Sequence, residues 1–294
     1  MNDLKVGTEV LREDFDFARA HTPEVQNYAM ESRMFTRASN GRVIDERVFR
    51  LRLTATPGSL LGIDGDRYTC TGFTVQHGNE EAVSIPSLSG WSYTFKYRRG
   101  ERDDRGQVLG IDHKPFEKLA DANRKPLPEV IAYHVYNAFI DFHSFQVFTE
   151  PTVGGRGIQD LVRIGQKIVH AASHSRPSTS LAGSVGEGSY FENGEVTLEL
   201  KGLGLVADRP CAIIGYDSGA SSFVMLMKPA PEIEVKTVGS SHFWGDVYKD
   251  LESQWVRRAD LTEVVATETA VPNEAKPINA YIERSILVRS VDSR

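Results

Sequence analysis

The chain has little cysteine and no obvious targeting segment. Only two cysteines, Cys70 and Cys211, occur in 294 residues, too few for a disulfide-rich scaffold. Spacing alone does not say whether they pair. The first twenty residues are charged throughout and contain no apolar run of the kind found in a secretory signal peptide. We therefore expect a cytoplasmic protein, or a periplasmic one if a leader has been removed.

The chain also lacks an excess of basic residues. Lysine and arginine number 34 against 40 acidic residues, which gives a formal net charge of −6. Nucleic acids and anionic membranes bind proteins that present a basic surface, so neither is expected as the main partner. Hydrophobic residues make up 40% of the chain and charged residues 25%, as in soluble globular proteins, and no transmembrane segment is expected.

Several catalytic and cofactor motifs are absent. The sequence contains no Gly-x-Ser-x-Gly elbow, no phosphate-binding loop and no dinucleotide fingerprint, so no organic cofactor is expected. His170 and His174 are four residues apart, which would suit a metal on a helix. The residues around them are instead typical of a strand followed by a loop, and we expect no metal.

What the chain does contain is a series of alternating apolar and polar residues, which predicts antiparallel strands with one buried face. The Asn40-Gly41 pair between two such segments predicts a hairpin. In the last segment four apolar residues share one parity, and Arg284 interrupts them. The residues with these alternating patterns are Val196, Leu198 and Leu200, then Ile233 and Val235, then Ala280, Ile282, Ile286 and Val288.

One segment predicts a helix, from Pro128 to Phe145, and it is apolar on most sides and hence buried. A weaker helix is indicated at 158–164. The predicted fold is mainly β: large antiparallel sheets forming a sandwich or a half or closed barrel, possibly as two similar halves, with one buried helix near the middle. The expected organisation is an irregular segment 1–27, a first β half 28–127, a helical connection 128–165 and a second β half 166–294.

The predicted helix carries the best candidates for chemistry. Its polar residues His134, Asn137, Asp141 and Ser144 are spaced by three, four and three, which places them on one stripe. One interpretation is the wall of a site, with His134 as the acid/base group, Asp141 as its partner or a ligand contact, and Asn137 as a ligand contact. The other is that the stripe faces solvent.

Three further candidates lie on the C-terminal strands. His242 and Asp246 share strand parity beside an aromatic pair, so His242 could act in catalysis and Asp246 in ligand binding. Arg284 is predicted to point inward, where it must meet an acidic partner or an acidic ligand. A bulge or a strand end near solvent would also explain it.

An aromatic series on the fourth predicted strand gives a final candidate. Trp91, Tyr93, Phe95 and Tyr97 fall on one face of it. Such a face can line a binding pocket, in which case Trp91 and Tyr93 would contact the ligand. The alternative is that the aromatic side chains belong to the ordinary core.

The segment Gly239–Asp250, followed by Trp255-Val-Arg-Arg-Ala-Asp-Leu261, resembles bacterial periplasmic lipid-binding β-proteins of the LolA/LppX-like kind. The resemblance covers about 60 residues and carries no individual functional residue with it. It implies a wide antiparallel sheet that holds lipids or acyl chains.

The function that these patterns favour is binding of a small hydrophobic or aromatic molecule in a cavity of the sheet. The alternative is an enzyme without a cofactor, for example an isomerase, cyclase or lyase, that acts on such a molecule by acid/base chemistry. A purely structural or interaction module is the third class. The sequence identifies neither the ligand nor the oligomeric state.

Overall fold

The computed structural model describes residues 14–96, 108–109, 119, 125–127, 129–151, 157–175, 186–230, 233–272 and 274–291. The prediction for Tyr97 lies outside these residues. Within them, no helix is long and apolar enough to cross a membrane.

The described residues form fifteen strands in one sheet, and among their pairings only that of β6 with β8 is parallel. The mainly β, antiparallel fold predicted from the alternating patterns is confirmed. The strands are β1 (Gln26–Ala38), β2 (Val43–Thr56), β3 (Asp66–His77), β4 (Val83–Ser84), β5 (Ser92–Phe95), β6 (Val108–Leu109), β7 (Lys167–His170), β8 (Ser173–Ser175), β9 (Tyr190–Asn193), β10 (Val196–Val206), β11 (Arg209–Asp217), β12 (Ser221–Ala230), β13 (Ile233–Asp250), β14 (Val256–Ala270) and β15 (Ile278–Val291).

The two ends of the chain meet in the middle of the sheet. β1 pairs with β2 through the predicted Asn40-Gly41 hairpin, where Gly41 has a φ of +82°, and on its other edge β1 pairs with β15. The path continues through β14 to β13. On its other edge, β13 pairs with β12 along its first half and with β11 along its second half. Over the described residues the sheet is not closed, so the closed-barrel alternative is wrong.

The helices are α1 (Gly58–Leu61), α2 (Glu129–Ser144) and α3 (Gln146–Thr149). The predicted buried helix is confirmed as α2, and Ala138, Phe139 and Phe142 on it are almost fully buried. The weaker helix predicted at 158–164 is only a short 3-10 turn at Ile158–Asp160. Its shortness fits the turn and bend that follow Leu161, where Gly165 has a positive φ.

The side of the sheet that α2 contacts is called the inner face here. Phe142 packs edge-on against Tyr28 of β1, and Phe139 packs against Trp91 beside β5. Leu51, Leu53 and Val288 are buried on the same side. Cys70 and Cys211 are both buried and unpaired, and burial raises the pKa of each thiol to about 11.

A buried charge cluster fastens the N-terminal segment to the sheet. The His21 ring packs against Trp255 at a tilt of 36°, with ring centroids 3.8 Å apart. It lies 3.4 Å from an oxygen of Asp66 and 3.9 Å from one of Glu150. Glu150 also meets Lys249, which is fully buried and donates a 2.6 Å hydrogen bond to the carbonyl of Gln254.

This cluster predicts a pH-dependent stability. Burial opposes protonation of His21, but Asp66 and Glu150 outweigh it and raise the pKa of His21 to about 9. The protonated form is therefore favoured by folding. Its contribution, about 3 kcal/mol at most, should be complete below pH ~6.5 and lost as the pH rises to ~9. Denaturant unfolding of wild type and His21→Gln across this range should show the loss in wild type only. An equal loss in both would assign it to other groups.

Candidate functional site

The main polar feature of the inner face is a row of residues that lie directly opposite one another on six neighbouring strands. The register is unbroken along it, and opposite residues in antiparallel strands project to the same side of the sheet. We call these residues the cross-strand row; from β3 to β13 they are His77, Arg47, Met34, Arg284, Glu263 and Phe243.

The polar stripe predicted on α2 faces this row. His134 accepts a 3.0 Å hydrogen bond at Nε2 from Nη1 of Arg47, and its ring lies 5.5 Å from that of Phe49. The next residue of the stripe, Asn137, is half-buried. The one after it, Asp141, forms an ion pair with Arg284. The stripe is therefore neither free in solvent nor part of the apolar core. It forms one wall of a polar layer between helix and sheet.

The strongest contacts of this layer surround Arg284. Its Nη1 lies 2.7 and 2.8 Å from the two carboxylate oxygens of Asp141, and its Nη2 contacts Glu263 on β14. Ser32 of β1 donates a 3.3 Å hydrogen bond to Asp141. All three charged side chains are less than one-fifth exposed. The inward Arg284 predicted from strand parity is thus paired with two acids, and no bulge flips its direction.

One donor of this arrangement remains unused. The Nε atom of Arg284 is buried and has no hydrogen-bond partner among the described residues. An unpaired buried donor of this kind costs about 1–3 kcal/mol. The guanidinium of Arg284 is therefore bound by two carboxylates, and its Nε–H could donate one further hydrogen bond to a ligand.

The surroundings reverse the usual order of the pKa values of His134 and Asp141. Burial raises the pKa of Asp141 to about 6, with Glu263 adding to the effect and Arg284 opposing it. Burial and the positive charge of Arg47 lower the pKa of His134 to about 4. His134 is therefore a neutral acceptor near pH 7, and Asp141 is the group that titrates close to neutrality. The order of their pKa values is thus the reverse of the ordinary one, and the roles that the sequence suggested for them stay predictions.

The aromatic candidates lie elsewhere. Tyr93 is buried, and its hydroxyl is 2.8 Å from Nε2 of the fully buried His143. Phe95 stacks on the same imidazole at 4.0 Å, and Trp91 packs against Tyr93 at 4.7 Å. Burial lowers the pKa of His143. Tyr93 thus lies in the core beside α2, and Trp91 packs against that core while partly buried. Their role as ligand contacts stays a prediction.

His242 and Asp246 lie on the opposite side of the sheet from Arg284. In the register Phe243 opposes Glu263, so the neighbouring residues His242 and Trp244 project outward. His242 is 2.9 Å from Asp217 and about half exposed, and Asp246 is 2.6 Å from Lys201. These two residues therefore cannot share a site with His134 and Asp141, because the sheet separates them.

The metal candidates are only partly described. His170 ends β7 with its ring 5.5 Å from that of Phe148, whereas the side chain of His174 is outside the described residues. The described part of the chain contains no group of histidine, cysteine and acidic residues arranged to hold a metal ion.

Three members of the polar layer, Arg47, Glu263 and Ser32, were not predicted from the sequence. A signal for two of them was present. Arg47 continues the parity of Phe49, Leu51 and Leu53, and Glu263 stands between Leu261 and Val265 in the same parity. Each is a charged residue at an inward position, as Arg284 is. Three such interruptions on different strands indicate a shared polar layer.

Comparisons with known proteins do not assign this chain to a family. No protein-family model and no curated protein matches this chain. Among solved structures, the high-pH structure of OprB from Pseudomonas putida aligns over 97% of this chain and 96% of its own, with 8% identity and a TM-score of 0.17. A likeness of this size carries no argument, and the LolA/LppX-like resemblance stays a prediction.

Proposed function

We propose that the protein binds a small hydrophobic or aromatic molecule against the inner face of the sheet, at the cross-strand row. The observation that carries the proposal is the unbroken register that brings Arg47, Arg284 and Glu263 together under His134 and Asp141. A few converging polar groups on an otherwise apolar surface are typical of small-molecule sites.

Stability alone does not explain this polar layer. Burying ion pairs costs desolvation energy that their attraction often fails to recover, and well-packed apolar residues of similar volume are frequently as stable. Within the part of the chain that the structure describes, the layer also leaves Nε of Arg284 without a hydrogen-bond partner. Groups of this kind, with a carboxyl pKa moved toward neutrality, cluster at functional sites. We therefore attribute the layer to ligand recognition.

The apolar part of the ligand would lie on the neighbouring row of the inner face. Ile282 opposes Val265 there, and both share the side of Arg284 and Glu263. Met34 and Phe243, within the cross-strand row itself, are partly buried. The inner face beside the charged groups is thus apolar enough to receive an aliphatic or aromatic body.

Ile282→Lys tests this placement. A charge on the inner face beside Arg284 should weaken binding of the neutral fluorescent dye Nile red at least tenfold, because an apolar contact is replaced by a cation. The matched control is Tyr281→Lys, one residue away on the exposed outer face. Fluorescence titration of both variants and wild type is the measurement. Binding that survives Ile282→Lys, or fails equally in both variants, would remove the proposed site.

A second candidate function is a cofactor-independent acid/base enzyme. Asp141, with its pKa raised to about 6, favours it, because a general acid or base works best when its pKa lies near the operating pH. In such an enzyme Asp141 would transfer the proton and Arg284 would stabilise the carboxylate form. Turnover of a bound compound with a pH profile that follows Asp141 would distinguish the enzyme from a carrier.

A further inference from the structure

The charges of the polar layer restrict what the site can accept. Arg284 is ion-paired with Asp141 and Glu263, and Nε of Arg47 lies 2.7 Å from a carboxylate oxygen of Asp45. Counted over the described residues, and with all of them ionised, two cations face three anions, which gives one net negative charge.

From this balance we infer that the site selects uncharged molecules that carry an oxygen acceptor, such as alcohols, ketones or esters, over the carboxylic acids of the same apolar body. The inference rests on the proposed function and names its ligand class. A ligand carboxylate would enter beside Asp141 and Glu263, which already occupy the two Nη groups of Arg284. Like charges at such distances repel, most strongly in a partly buried layer.

An uncharged ligand oxygen is not repelled by Asp141 and Glu263. A carbonyl or hydroxyl oxygen accepts a hydrogen bond without adding charge. Arg284 has a donor for it at Nε, which no described residue uses. His134 does not change the net charge of the polar layer. Its Nε2 accepts from Arg47, and with a lowered pKa the ring contributes no positive charge near neutral pH.

The test compares two probes with one apolar body, retinol and retinoate, at a pH of about 8, where the carboxylate is ionised. Titration by ligand fluorescence and tryptophan quenching should give a dissociation constant about tenfold lower for retinol in wild type. Glu263→Gln removes one negative charge from the layer and should shrink that preference to a few-fold. Asp45→Asn is a second such variant, on a more exposed residue, in case Glu263→Gln fails to fold.

The matched control is Glu268→Gln. It removes the same charge from the same strand, but on the outer face, and should leave the preference unchanged. Retinoate binding as tightly as retinol in wild type, or a preference that neither Glu263→Gln nor Asp45→Asn reduces, would overturn the inference and leave the proposed site standing. Failure of both probes to bind would contradict the proposed function itself.

Discussion

Arg284→Leu is expected to destabilise the protein by about 3–5 kcal/mol, because it leaves the buried carboxylates of Asp141 and Glu263 without their cation. The loss should appear as a lower midpoint in urea unfolding. Restoring neutrality in the triple variant with Asp141→Asn and Glu263→Gln should recover most of it, since the cost comes from unpaired charge and not from lost packing.

Arg289→Leu is the control for this experiment. Arg289 lies on the same strand as Arg284, but it is exposed on the outer face. A surface change of this kind is usually within about 0.5 kcal/mol of neutral. A small effect of Arg284→Leu, comparable with that of Arg289→Leu, would mean that the charged layer is not formed in solution as described.

Ala138→Asp is the second change with a large expected effect. Ala138 is 1% exposed on the face of α2 that packs into the core. A carboxylate at this position would be buried in the hydrophobic core and should cost about 3–5 kcal/mol. The variant should therefore show a lower thermal midpoint or fail to fold.

Ala138→Asn separates charge from size, because asparagine has nearly the volume of aspartate without its charge. We expect its cost to be clearly smaller than that of Ala138→Asp near neutral pH, and the two to converge when acid protonates the aspartate. An unchanged thermal midpoint for Ala138→Asp would show that α2 lies at the periphery of the fold.

The local parts of this architecture were predictable from sequence. Asn40-Gly41 marks a hairpin because glycine readily takes the positive φ found at Gly41. α2 was predictable because apolar residues cover most of its circumference. In both cases the signal and the structure lie within one short segment, where period and turn chemistry decide the outcome.

The cross-strand row was not predictable in the same way. Met34 and Arg284 face each other because β1 and β15, from opposite ends of the chain, become neighbours in the sheet. No local pattern specifies that pairing or its register. Parity alone showed that Arg284 points inward, but its partners Asp141 and Glu263 come from a helix and another strand. Burial then reversed the pKa order expected for His134 and Asp141.

Strand parity also failed to say which side of β13 faces α2. His242 and Asp246 share a side, as predicted, but the register of Phe243 with Glu263 directs that side away from α2. Both sides of this strand carry aromatic residues, Phe243 on one and Trp244 on the other, so composition did not distinguish them.

The central claim is that a small molecule occupies the inner face at the cross-strand row. Native mass spectrometry of the purified protein, with Ile282→Lys and Tyr281→Lys in parallel, tests it most directly. The account predicts a retained small molecule on wild type and on Tyr281→Lys that is lost from Ile282→Lys. The same bound mass on all three proteins, or none on wild type even after incubation with retinol, would contradict it.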